Sequence, residues 1–172
     1  DYNQTKAATI AIAEHDGPVY LRFGRPSVPV FMPEDQKFEI GKAIHLTEGS
    51  DVTIVATGHL VWEALEASKA LFEKGIKAEV INIHTIKPLD EKAILDSVAK
   101  TKCIVTAEEH NYLGGLGESV ARVLAENEPT PQEFIATQDT FGESGTPAQL
   151  MDKYGLNSSA IINAVEKVMK RK

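Results

Sequence analysis

From residue 43 onward, short and nearly continuous apolar runs alternate with longer stretches in which apolar residues return at helical spacing. Val52, Ile54, Val55 and Ala56 leave little polar character between Asp51 and Thr57, the pattern of a strand covered on both faces. Between Leu60 and Lys74 the set Leu60, Val61, Ala64, Leu65, Ser68, Leu71 and Phe72 follows one helix face, and Gly75 stands where a C-terminal cap belongs. Lys77 to Ile83 then reads as a strand, with Pro88 and Asp90 opening a helix over 90–99. Cys103 to Ala107 is a further buried strand, Gly114-Gly115-Leu116-Gly117 leads into a helix over 117–126, and Glu133 to Thr137 makes a late strand. Ala43 to Thr47 is a short additional strand; Ala148 to Tyr154 and Ser158 to Met169 are closing helices. Strands alternating with helices of this length predict a three-layer α/β/α fold around a mostly parallel sheet.

The first 33 residues follow a different pattern. Ala7, Ala8, Ile10, Ala11 and Ile12 predict a small-residue helix over 2–14, ended by Gly17-Pro18. Val19 to Phe23 reads as a strand, and Pro26, Pro29 and Pro33 mark an extended connector. One helix and one strand cannot bury a core. The expected division is therefore 1–33, a remnant of a neighbouring unit with its linker, and 34–172, a complete domain. Asp1 is not a methionine and the first helix begins at once, so the chain is expected to start partway into a larger polypeptide.

Composition narrows the function classes. The formal net charge is −7, with no dense basic cluster, which argues against a nucleic-acid partner. Cys103 is the single cysteine, so an intrachain disulfide and a cysteine metal cluster are excluded. Its apolar surroundings favour a buried, inert thiol in a reducing compartment. No apolar stretch of membrane-spanning length and no basic-then-apolar signal segment is present, and the cytoplasm is the expected location.

Few residues carry chemistry on their own. The glycine cluster 114–117 sits between strand and helix, where backbone N–H groups can cradle an anion, but it lacks the G-x-G-x-x-G spacing and a phosphate-loop lysine. Close backbone packing is favoured there. Glu108-Glu109-His110 reads as exposed turn residues or an interface hydrogen bond. Histidines 15, 45, 59, 84 and 110 show no metal-ligand spacing, and Ser144 has no neighbouring base. Arg25 stands where a strand is expected to end before a proline, a position suited to a guanidinium fork on a phosphate, with Arg22 close by; on the residues alone, a surface ion pair is the favoured reading.

Several segments read together carry a resemblance. Asp1-Tyr2-Asn3-Gln4 with its Ala-rich helix, followed by Gly17-Pro18-Val19-Tyr20-Leu21-Arg22-Phe23-Gly24-Arg25-Pro26, resembles the end of the pyrimidine-binding domain of transketolases. Thr85-Ile86-Lys87-Pro88-Leu89-Asp90, Thr106-Ala107-Glu108-Glu109-His110 and Gly114-Gly115-Leu116-Gly117-Glu118 are similar to the C-terminal domain shared by transketolases, deoxyxylulose-phosphate synthases and 2-oxo-acid dehydrogenase β subunits. Thr140-Phe141-Gly142-Glu143-Ser144-Gly145, with Pro147 and Lys153-Tyr154-Gly155-Leu156, points to transketolase among these.

The resemblance implies part of an enzyme that uses thiamine diphosphate and a divalent metal (Mg or Ca) to move a two-carbon ketol unit from a ketose phosphate to an aldose phosphate. It also implies that Arg25 holds the sugar phosphate, with Arg22 a less direct neighbour. The family's G-D-G motif and the stretch bearing its cofactor-activating glutamate are missing from the sequence, so this chain is expected to bind no cofactor or metal and to be inactive alone. The implied partners are the remaining transketolase domains or a complementary subunit, and a second copy in a homodimer through the C-terminal domain. Two other readings stand beside this one: a non-catalytic association module, and the corresponding domain of a dehydrogenase β subunit or a deoxyxylulose-phosphate synthase.

Overall fold

The computed structural model describes residues 1–172. Its centre is a five-stranded sheet formed by β1 (Ile44–Thr47), β2 (Val52–Ala56), β3 (Ala78–Asn82), β4 (Ile104–Asn111) and β5 (Gln132–Thr137), in spatial order β1-β3-β2-β4-β5. The pairs β2–β3, β2–β4 and β4–β5 are parallel, and β1 closes one edge antiparallel to β3. Every residue of β2 and β3 is buried, as the near-absence of polar alternation predicts for strands roofed on both sides.

Two helical layers supply the roofs. On one face α2 (Leu60–Glu73) and α6 (Ser158–Met169) cover Val52, Ile54, Val80, Val105 and Ala107. On the other, α3 (Glu91–Thr101) and α4 (Leu116–Asn127) bring Ile94, Val98, Val120 and Leu124 onto Val55, Ile81, Ile83 and Ile104. The helix ends are defined by side-chain caps: Asp90 accepts from the Ala93 N–H, Asn157 from that of Ala160, and Thr146 with Gln149 forms a capping box at α5 (Pro147–Lys153).

The helical register of α2 differs in part from the sequence pattern. Leu60, Val61, Ala64, Ala67, Ser68 and Leu71 face the sheet, while Leu65 is half-buried and Phe72 is exposed. A stripe at 3.6-residue spacing rotates slowly about the axis, so the last turn carries Phe72 off the core.

The first 33 residues differ more. The helix α1 (Tyr2–Ala13) forms as the sequence predicts, but 19–23 does not form the expected strand and pairs with no other strand. A strand exists only through ladder partners, and apolar alternation alone supplies none. The segment is fastened instead by point contacts. Asp1 caps α1 through Gln4 N–H and accepts from both the Phe31 and Met32 N–H groups at 2.7 Å. Asn82, buried at the carboxyl end of β3, donates to Gln4 Oε1 at 3.0 Å, and Phe31 meets Trp62 at a centroid distance of 6.1 Å.

Candidate functional site

The chain order of the strands creates one place where ligands are expected. From β2 the chain moves to one side to make β3, then crosses to the other side of β2 to make β4. The connections leaving β2 and β4 therefore diverge, and the crevice outside their carboxyl ends is the topological switch point of the sheet. Thr57-Gly58-His59 follows β2 there, with Gly58 at a φ of 59°, and the exposed end of β4 supplies Glu109 and His110.

The Arg22–Arg25 segment lies across this switch point. Arg22 Nη1 donates to the Glu109 carbonyl at 3.3 Å, which ties the segment to the end of β4. Gly24 lies against His59 so closely that a Cβ added to it would stand 2.3 Å from the His59 Cε1, which ties it to the end of β2. His59 is in turn paired with Glu109, Nδ1 to Oε2 at 3.3 Å, its side chain 19% exposed. The hydrogen bond from His59 holds the Glu109 carboxyl below its usual range; partial burial opposes this, and the nearby charge of Arg22 adds to it. Arg25 itself is exposed, outside every salt bridge and side-chain hydrogen bond in the structure. The sequence places Arg25 at the end of a strand; in the structure Arg22 and Arg25 lie instead on an unpaired segment beside the ends of β2 and β4. His59 and Glu109 were not among the predicted site residues; the juxtaposition of Gly24 with His59 leaves no trace in spacing or periodicity.

The glycine cluster has another use. Glu108 is buried, and its carboxylate accepts from the Leu116 N–H at 2.7 Å and the Gly117 N–H at 2.8 Å. The first free N–H groups of α4 are therefore satisfied by the chain's own anion, which also suits the helix dipole. Gly115 is required by this arrangement, since a Cβ there would lie 2.3 Å from Glu108 Oε2. Close packing at 114–117 is what the sequence predicts, whereas the expectation that Glu108 is an exposed turn residue is corrected: β4 runs on through Asn111 and turns Glu108 inward. His110 bonds only the neighbouring Asn111 carbonyl, at 2.7 Å, and lies 4.0 Å from Glu108.

Ser144 sits in an exposed loop closed by Tyr154, whose hydroxyl donates to the Phe141 carbonyl and accepts from the Glu143 N–H, with a Lys153–Glu143 ion pair beside it. Cys103 is buried, and burial pushes its thiol up from the ordinary value, away from the reactive thiolate. No group of three or more His, Cys, Asp or Glu side chains is placed to hold a metal ion. No helix is long and apolar enough to cross a membrane.

Comparison with known proteins agrees with this architecture. Residues 41–161 match the family described as "Transketolase, C-terminal domain". The chain is 46% identical over 172 residues to "6-deoxy-6-sulfo-D-fructose transketolase subunit SqwH" of Clostridium sp. (strain MSTE9), covering 100% of this chain and 53% of that protein. It is 37% identical to one of the subunits of the apulose-4-phosphate transketolase of Phocaeicola vulgatus, covering 99% of this chain and 55% of the other. A solved structure described as "Split gene transketolase, inactive beta4 tetramer" superposes with a TM-score of 0.96 at 45% identity, covering 99% of this chain and 56% of that one. The chain spans about half the length of these relatives. On the match of its sheet domain and the likeness that extends over its whole length, the chain belongs to the transketolase C-terminal domain family.

Proposed function

We propose that this chain is the C-terminal portion of a split transketolase, supplying the phosphate-holding arginine, Arg25, to an enzyme that transfers a two-carbon ketol unit from a ketose phosphate to an aldose phosphate. The observation that carries the reading is the place of Arg25: an exposed, unpaired guanidinium on a segment seated across the carboxyl ends of β2 and β4. A planar fork of donors suits a phosphate dianion better than a lysine would. Residues 1–33 are then the end of the pyrimidine-binding domain with its linker, and 34–172 the C-terminal domain; the family match beginning at residue 41 supports that division. The cytoplasm is the location proposed, in keeping with a buried and unpaired Cys103.

Thiamine diphosphate and its divalent metal, which such a reaction requires, do not fit the residues present. The acidic and histidine side chains form no cluster able to hold a cation. The one glycine-rich turn opening a helix has its N–H groups taken by Glu108. The cofactor site is therefore assigned to the complementary subunit and the remaining domains, and no chemical step is assigned to this chain. Relatives described as transketolase subunits support a two-chain enzyme.

Mixing the chain in its full-length form with its complementary subunit is expected to yield ketol transfer that neither shows separately. Arg25→Ala in that assembly is expected to raise KM for phosphorylated sugars and to leave unphosphorylated acceptors nearly unaffected. Equal effects on both would remove Arg25 from the phosphate site.

A second reading is favoured by one observation, the description of the superposed solved structure as an inactive tetramer of one chain type. In that reading the chain is an association module that binds copies of itself or a partner. Sedimentation would then show a concentration-dependent oligomer, and no complementary subunit would restore activity.

A further inference from the structure

We infer that His59 and Glu109 are positioning residues that hold the Arg25 segment in place, acting through contacts that only glycine at position 24 permits. The inference rests on the phosphate-binding reading of Arg25 and adds what fixes that residue.

Residues 17–27 form no helix or strand, so ladder bonds do not set the direction in which Arg25 is presented. Two contacts do so instead. Arg22 Nη1 bonds the Glu109 carbonyl, and Gly24 lies against the His59 imidazole with no room for a Cβ while the ring stays in place. The two supports are linked, because the Glu109 carboxylate pairs with His59 Nδ1 at 3.3 Å and so fixes the ring against which Gly24 rests. His59 follows the end of β2 and Glu109 lies on the exposed end of β4, adjacent central strands whose first five residues are all buried, so the seat stands on the packed sheet. The backbone of Arg25, one residue beyond Gly24, is anchored by that seat. A phosphate contact made from an anchored backbone loses less conformational entropy on binding than one made from a free loop.

The two contacts also account for features of the sequence that the fold does not use. Gly24 has no positive φ and occupies no turn that demands glycine; what it meets is the His59 ring. His59 occupies the N-cap position of α2, yet its side chain makes no cap hydrogen bond to the helix and is turned to Glu109.

The test is made on the full-length form of the chain assembled with its complementary subunit, measuring kcat and KM separately for a phosphorylated and an unphosphorylated acceptor. Gly24→Ala, which pushes the segment off the imidazole, is expected to raise KM for the phosphorylated acceptor about tenfold, with kcat and the other acceptor's KM within about twofold of the parent. His59→Ala is expected to raise it about threefold. The double variant is decisive, because removing the ring makes room for the added methyl: Gly24→Ala with His59→Ala is expected to return to about the level of His59→Ala alone, a strongly non-additive result. If Gly24→Ala prevents assembly, His59→Ala and Glu109→Gln carry the test, each with a KM rise confined to phosphorylated acceptors and an unchanged melting temperature.

Arg25→Ala is measured alongside. If it leaves phosphorylated KM unchanged, the phosphate reading fails and the seat loses its purpose. If Arg25→Ala acts but Gly24→Ala is silent, or the double variant is no better than Gly24→Ala, the seat alone is overturned.

Discussion

Residues 1–33 and the sheet domain beyond them contain comparable apolar side chains and treat them in opposite ways. In the domain, Ile54, Leu60, Leu71, Ile81, Ile94, Ile104 and Ile161 are fully buried between sheet and helices. In the first segment Tyr2, Ile10, Val19, Tyr20, Phe23 and Val30 are all exposed, six of the ten large hydrophobic residues so exposed in the structure, and only Ala8 and Met32 are buried. Apolar content does not by itself make a core: a face must find a second layer within reach, and the first segment has none along its own length. Its order comes from point contacts, chiefly Asp1 on Phe31 and Met32 within the segment and, with the rest of the chain, Gln4 on Asn82, Arg22 on Glu109 and the packing of Phe31 on Trp62.

The contrast can be tested by substitution, and the largest effect is expected in the sheet. Ile54→Ala removes a fully buried side chain from the central strand and should cost about 2–5 kcal/mol in denaturant unfolding. A cost near zero would mean that the two regions are not so unlike. Glu108→Ala should come next, at about 1–3 kcal/mol, because it strands the buried N–H groups of Leu116 and Gly117; their hydrogen exchange should accelerate more than that of β2. Thr146→Ala breaks the capping box of α5 and is expected to lower stability by about 0.5–2 kcal/mol. Tyr20→Ala, on a residue 86% exposed, should change the stability of the isolated chain by less than about 0.5 kcal/mol. A large loss there would show that the first segment does find a covering surface, for instance in a second copy.

Acid should distinguish the regions in another way. Burial disfavours the ionised form of Glu79, but hydrogen bonds from Ser97 and Lys100, the charge of Lys100 and a hydrogen bond with His45 outweigh it and hold its carboxyl below the usual range. A group whose folded pKa is depressed adds stability above its unfolded value, and that contribution is lost as pH falls through the folded pKa. Stability should therefore decline as pH drops below about 4.5, the ordinary value for Glu79, and Glu79→Gln should flatten that slope. An unchanged slope in the variant would leave the buried carboxylate without a part in acid unfolding.

The sequence made the layered domain readable because β2, β3 and α6 repeat their apolar positions at the period of the element that forms. Periodicity is local, and the elements it predicts are stabilised by surfaces it also specifies. Three features escaped it for a common reason. The absence of the expected 19–23 strand, the inward turn of Glu108 and the outward turn of Phe72 each depend on what lies across space from the residue rather than on its neighbours in sequence.

The amino-acid order alone determined the strand–helix alternation, the parallel sheet and the family likeness carried by short motifs, since backbone propensity and side-chain pattern act over a few residues. Only the tertiary structure decided that the glycine turn is filled by Glu108 and that Gly24 rests on His59 beside Glu109. Glu108 meets its partners across the short turn between β4 and α4, whereas Gly24, His59 and Glu109 are far apart in the chain, and the sheet's crossing at its switch point is what brings them within reach.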